Sequence, residues 1–249
     1  MGHIPGDADI AAVASVLADP GRAKMLLALG DGRALAASTL AMEAGVAPST
    51  ASVHLAKLVE ARLLQVEAHG RHRYYRMAGP QVGELLEVLA RLAPAAPVRS
   101  LREGTRAHAV RTARTCYDHL AGQLGTAIMA ALLAQGALSG GDGTFDPASR
   151  ELDQLSSIGW DCDYRLTEAG RAWMDDLGVR IASGCRRPLV RYCMDWSEQR
   201  HHLAGALGAG LLTRLVDLGW LRRSPTSRAV QVTDEGRRGL TRTLGIEVA

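Results

Sequence analysis

The chain has 249 residues, with 29 Lys+Arg against 26 Asp+Glu for a formal net charge of +3, and it is 47% hydrophobic and 22% charged. That length suits one large domain or two ordinary ones, each able to bury a core. No run approaches the roughly 18 apolar residues of a membrane span, and the composition is that of a folded protein, so a membrane-spanning or wholly disordered chain is excluded. A charge of +3 is too small for a polycationic tail, so any nucleic-acid contact must come from local clustering of basic residues.

The start, Met1 to Asp7, has no basic segment followed by an apolar stretch, which predicts a cytoplasmic protein whose four cysteines are thiols. Aromatic residues are scarce, at 4%, and none precedes Tyr74, whereas all four Trp (Trp160, Trp173, Trp196, Trp220) fall in the last ninety positions. Two halves of different purpose are therefore expected. The stretch Ala-Pro-Ala-Ala-Pro at 93–97 stops helices and serves as the linker.

In the first half, Ile10, Val13, Ala14 and Leu17 repeat at helical spacing, as do Val82, Leu85, Leu86 and Leu89. Asp19-Pro20 supplies an N-cap followed by Pro at the first helical position, with Gly30 as a left-handed exit. From Leu40 to Leu58 the order is helix, Gly45 turn, Val46 plug, then a Pro48-initiated helix with Ala51, Leu55 and Leu58 facing inward. That is a helix-turn-helix pattern. Its outer face carries Ser49, Ser52, Val53, Ala56 and Lys57, small and hydroxyl-bearing side chains that let a helix sit deep in a major groove. Next come Leu63 to Ala68 and Tyr74 to Met77, short strands flanking His69-Gly70-Arg71-His72-Arg73. This hairpin reads as a wing able to meet a phosphate backbone.

These segments together resemble the arsenic-repressor (ArsR) family of bacterial transcriptional regulators. The resemblance covers about residues 8–92 and rests on Leu17-Ala18-Asp19-Pro20-Gly21-Arg22, on Ser49 to Leu58 in the reader helix, and on Gly70 to Arg76 in the wing. It implies a homodimer paired through the helices around Ile10–Leu17 and Val82–Leu92, a palindromic double-stranded DNA operator, and repression relieved by an effector. The DNA-contacting residues are then Pro48, Ser49, Thr50, Ser52, Val53, His54, Lys57, Arg71 and Arg73. The metal-sensing branch carries paired cysteines in the helix before the turn, but Arg33 to Leu40 has none, nor does Gly79 to Leu92 hold a second metal set. Sensing is therefore expected in the second half.

The second half repeats itself. His119-Leu120-Ala121-Gly122-x-Leu124-Gly125 matches His202-Leu203-Ala204-Gly205-x-Leu207-Gly208, 83 positions on, and Leu166-Thr167 matches Val232-Thr233 at 66. The expected fold is mainly α with short β hairpins (α+β): a winged helix-turn-helix over 1–93, and a duplicated, winged-helix-like domain over 98–249 with copies at about 105–180 and 185–249. Each copy is expected to run helix, extended stretch, then a Thr-capped helix, with Asp195 and Glu198 forming a capping box. The paired glycines suggest close helix–helix contact between copies, ahead of space for a ligand.

For the effector, a small organic molecule leads, with Tyr117, His119, Tyr192, Trp196 and His202 as its binding residues and no resident cofactor. The alternative is a metal- or thiol-redox-responsive regulator using Cys116, His119, Cys193 and His202, a set that lacks C-x-x-C or H-x3-H spacing. Arg99, Arg102, Arg106, Arg111 and Arg114 read by default as a solvated basic face, with phosphate contact as the alternative. An enzyme built on a Cys-His pair is the rival class; against it, no nucleotide-binding, nucleophile-elbow or zinc-protease motif is present. A third reading makes the second half a dimer-enlarging module.

Overall fold

The computed structural model describes residues 7–69, 72–94, 97, 101–144, 164–181 and 187–248. The wing tip at Gly70 and Arg71, much of the Pro-rich stretch, Arg99, Trp160, Cys162, Cys185 and Arg186 lie outside the described residues. The chain divides into two compact units at Val82–Gly83.

The first unit runs α1 (Ile10–Leu17), α2 (Pro20–Ala28), β1 (Leu35–Ala36), α3 (Ala37–Ala44), α4 (Pro48–Glu60), β2 (Leu64–His69) and β3 (His72–Met77). Asp19 caps α2, its Oδ1 accepting the Arg22 amide at 2.9 Å, and Pro20 opens the helix. Arg22 in turn donates from its Nε to the Val16 carbonyl at 2.5 Å, satisfying an end group of α1. Gly45 ends α3 at φ 70°, the left-handed value the turn requires. Met25, Leu26, Leu29, Leu40, Leu55 and Leu58 are fully buried and form the core of this unit.

Three local expectations are corrected. The left-handed glycine after α2 is Gly32 (φ 73°), not Gly30, because α2 stops at Ala28 and Leu29 takes its C-cap. Leu35 and Ala36 leave the expected helix to form β1, pairing with Tyr75 and Tyr74 of β3 in a three-stranded sheet ordered β1-β3-β2. Val46 is half-buried rather than a plug.

The second unit, which includes all but the first turn of α5 (Pro80–Leu92), continues with α6 (Leu101–Thr112) and then two successive copies of one pattern. The first copy is β4 (Arg114–Cys116), β5 (His119–Ala121), α7 (Gly122–Ala134), β6 (Leu138–Ser139), β7 (Arg165–Leu166) and α8 (Glu168–Leu177). The second is β8 (Arg191–Met194), β9 (His201–Ala204), α9 (Gly205–Asp217), β10 (Leu221–Arg223), β11 (Val230–Val232) and α10 (Asp234–Leu244). Thr167 and Thr233 cap α8 and α10, each accepting an amide at 2.9 Å, from Gly170 and Gly236. Leu124, Ile128, Leu132, Leu207, Leu211, Leu215, Trp220 and Leu240 lie in its shared core.

Each copy therefore opens with a β-hairpin where the sequence suggested helix: His119 to Ala121 and His202 to Ala204 are strand. Asp195 caps no helix; its Oδ1 accepts the Ser197 and Glu198 amides at 2.9 and 3.1 Å and holds the turn between β8 and β9. The glycines are explained by a closer contact than helix on helix. Gly122 and Gly205 take φ 78° where strand turns into helix. At Gly125 a Cβ would stand 2.6 Å from the Leu120 carbonyl oxygen, and at Gly208 2.5 Å from that of Leu203, so each helix lies against its own preceding strand.

Candidate functional site

Two groups of residues stand out, one in each unit. In the first, α4 buries Ala51, Leu55 and Leu58, which leaves Pro48, Ser49, Thr50, Ser52, Val53, Ala56 and Lys57 exposed on one side. Val53 is 55% exposed in the middle of that side, an apolar surface of the kind that meets a thymine methyl. The Ser52 hydroxyl turns back to the Pro48 carbonyl at 3.0 Å. A groove of about 670 Å³ runs between α4 and the wing, lined by Ser52, Ala56, Glu60, Val66 and Arg73 among others. Arg73 is exposed on β3, while Arg71 lies outside the described residues.

His54 is set apart from this face. Its Nε2 lies 3.6 Å from Asp19 Oδ1 and its Nδ1 3.5 Å from the Arg22 guanidinium, so it is turned inward against the start of α2. Arg114, expected on a basic face, is instead fully buried: it donates to Asp195 Oδ2 at 2.9 Å and to Ser197 Oγ at 3.1 Å, and stacks on Trp196 at 4.6 Å. A guanidinium so enclosed has no reach to phosphate. Nearby, Arg228 pairs with Glu87 at 2.5 Å.

In the second unit, the hairpins β4–β5 and β8–β9 bring together Cys116, His119, Cys193 and His202, with one ligand-type atom from each lying within 4.8 Å of all the others. The registers explain the meeting. Cys116 pairs across its hairpin with His119, and Cys193 with His202, so both copies contribute one Cys-His pair. The two imidazole rings lie 5.2 Å apart. A carboxylate stands behind each: Asp118 Oδ1 is 3.3 Å from His119 Nδ1, and Asp195 Oδ2 is 3.6 Å from His202 Nδ1.

The local electrostatics are strongly polarised. Burial alone would lower the His119 imidazole, but Cys116 and Asp118 beside it raise it to about 9. His202 is pushed well below its ordinary value by burial and by His119, against the pull of Asp195. The Cys116 thiol is raised by its hydrogen bond with Cys193, by burial and by Glu87.

The aromatic residues expected around an effector sit in three different settings. Tyr192 packs edge-on against Tyr164 and lies 4.2 Å from the His201 ring, Trp196 is covered by Arg111 and Arg114, and Tyr117 occupies the β4–β5 turn at φ 56°. Sequence alone left out Asp118 and gave Asp195 only a capping role, although a signal was present. Arg114-x-Cys116-x-Asp118 repeats as Arg191-x-Cys193-x-Asp195, 77 positions on. The six residues Trp196 to His201 then shift the histidine to 83 and hide the match.

Comparison with known proteins agrees with this architecture. Residues 17–67 match the family model of a helix-turn-helix domain. An uncharacterized HTH-type transcriptional regulator of Bacillus subtilis (strain 168), YdfF, is 39% identical over 242 residues, which span 96% of this chain and 99% of that one. The chain belongs to the HTH-type transcriptional regulators. Its N-terminal part has winged helix-turn-helix order, with the capped α2, the helix α4 after the Gly45 turn and the β2–β3 wing. Among solved structures, the homodimeric winged helix-turn-helix domain of Mb0332 from Mycobacterium bovis is 28% identical, covering 36% of this chain and 89% of that one at a TM-score of 0.32. The cadmium sensor CMTR of Mycobacterium tuberculosis is 30% identical, covering 36% and 94% at a TM-score of 0.31. Among the described residues, no helix of this regulator is long and apolar enough to cross a membrane.

Proposed function

We propose that the regulator is a repressor that binds a palindromic operator as a homodimer and releases it when an effector acts on the C-terminal domain, residues 98–249. The observation that carries the operator reading is the outer side of α4, where Pro48, Ser49, Thr50, Ser52, Val53 and Lys57 are exposed, small or basic, beside an exposed Arg73. Such a side enters a major groove while Arg71 and Arg73 of the wing meet the backbone.

Homodimer formation is supported by apolar surface left open on the two helices that the family pairs. No residue of α1 is buried and Ile10 is 77% exposed, while Leu92 at the end of α5 is 78% exposed. Within the second unit, the Cys116, His119, Cys193, His202 cluster offers convergent polar atoms, which the separated aromatic groups do not. It is thus the part of the unit best suited to receive an effector.

The test is a gel-shift titration of the full chain on DNA upstream of its own gene. Ser52→Glu places a carboxylate against the groove and is expected to weaken binding at least tenfold, with the fold unchanged by circular dichroism. Equal affinity of wild type and Ser52→Glu overturns the reading.

A further inference from the structure

We propose that the paired hairpins of the second unit form a tetrahedral site for a zinc-class divalent cation, with Cys116 and His119 from one copy and Cys193 and His202 from the other as ligands.

Four observations converge on it. Two sulfurs and two imidazoles are the donor set of closed, four-coordinate zinc sites, whose ligand atoms stand about 3.3–3.8 Å apart given ordinary Zn–S and Zn–N lengths. The present set, within 4.8 Å, needs an inward side-chain adjustment of about 1 Å to close. The histidines are buried, and neither His119 Nε2 nor His202 Nε2 has a hydrogen-bond partner. An orphaned buried ring nitrogen costs stability, and two of them beside two sulfurs are satisfied together by one cation.

The surroundings fit as well. Asp118 hydrogen-bonds His119 Nδ1, the arrangement that orients a ligating imidazole so that Nε2 points at the metal, and Asp195 stands 3.6 Å from His202 Nδ1, where a small shift of the ring would complete the same arrangement. Asp118 is itself held by Arg187, and Asp195 by Arg114 and the Gly122 amide, which donates at 2.6 Å. Finally, Gly125 lies against the His202 Cβ and Gly208 against the His119 Cβ, at 3.6 and 3.2 Å from where their own Cβ would be. Each copy thus leaves room for the other copy's histidine. The duplication makes the site: one copy supplies half a coordination shell, and the ion fastens the two halves together. On binding, the thiols and any protonated imidazole give up their protons to solvent, so that the ion meets two thiolates and two neutral imidazoles.

The assignment rests on this geometry; only a role for the ion as the effector rests on the repressor reading above. The experiment uses the full chain, stripped with chelator under reductant and titrated first with Co²⁺ and then with Zn²⁺. The expected result is saturation at one cobalt per chain with thiolate-to-cobalt charge transfer and tetrahedral d–d bands, both bleached by Zn²⁺. Cys193→Ser, a near-isosteric change at a half-buried position, is expected to weaken affinity at least 100-fold. Asp118→Asn is expected to keep the tetrahedral spectrum with affinity 10- to 100-fold weaker. No tetrahedral spectrum, affinity unchanged in Cys193→Ser, or a Cys116–Cys193 disulfide with no metal uptake after reduction overturns the proposal. Gel shifts on the same preparations separate the two readings: operator binding without metal uptake defeats only the metal site, and metal uptake without operator binding defeats only the repressor.

Discussion

Arg114 Nη2 donates to Asp195 Oδ2 at 2.9 Å with both side chains fully buried, and this pair ties the hairpin of the first copy to that of the second. Asp195 also accepts the Gly122 amide and the Ser197 hydroxyl, so one carboxylate organises the start of α7, the β8–β9 turn and the Arg114 guanidinium.

Removing Asp195 leaves the buried Arg114 with only the more distant Glu87 carboxylate, 3.8 Å away, so Asp195→Ala is expected to cost about 3 kcal/mol, whereas Arg114→Met with Asp195→Leu together costs less than the sum of the two single changes. Urea unfolding of Asp195→Ala, of the single changes Arg114→Met and Asp195→Leu, and of their double variant checks this. Burial would raise the Asp195 carboxyl, but Arg114, then His202, Ser197 and Gly122, hold it well below the ordinary carboxylate range. A group depressed in the folded state stabilises fully above its unfolded value, near pH 4, and that contribution is lost as pH falls further. The acid limb of the stability curve is therefore expected to flatten in the double variant.

The repeat glycines give a contrasting pair of outcomes. Gly125→Ala and Gly208→Ala each drive a Cβ into a backbone carbonyl that cannot move independently of its strand, with an expected loss of about 1–3 kcal/mol. Gly45→Ala meets open space and bears only the left-handed backbone, about 1 kcal/mol. Thermal unfolding that ranks Gly45→Ala as the most damaging of the three contradicts this account.

Arg73 and His54 are expected to separate cleanly in a salt titration of operator binding. Arg73→Ala takes one cation away from the phosphate backbone at each wing and flattens the slope of log affinity against log salt by about 0.9 for every phosphate left without its partner. His54→Ala leaves that slope unchanged and lowers the melting temperature, since His54 is engaged with Asp19 and Arg22 rather than with the reader face.

Dimer formation is expected to fail when a charge is placed on the open apolar surface. Ile10→Glu or Leu92→Glu should sediment as a monomer at concentrations where the wild type is dimeric, and operator affinity should fall with it. A monomeric wild type, or dimers in both variants, removes this interface.

Local chemistry made the reader legible. Asp19-Pro20, Gly45 and Pro48 set helix ends through dihedral and capping preferences that act within a few residues, and the Ala51, Leu55, Leu58 spacing fixes which side of α4 is buried. The wing strands were legible for the same reason. Less legible was β1, two residues long, which is a strand only because β3 lies beside it.

The sequence by itself determined a helix-turn-helix with a wing, a duplicated second half, and the identities of the Cys and His residues able to hold a metal. Only the tertiary structure decided that the second-half repeats open with hairpins, that Arg114 is buried rather than basic surface, and that two Cys-His pairs meet. The reason is range: caps and periodicity are written over a few residues, whereas Cys116 and Cys193 are 77 positions apart and converge only when the two hairpins pack.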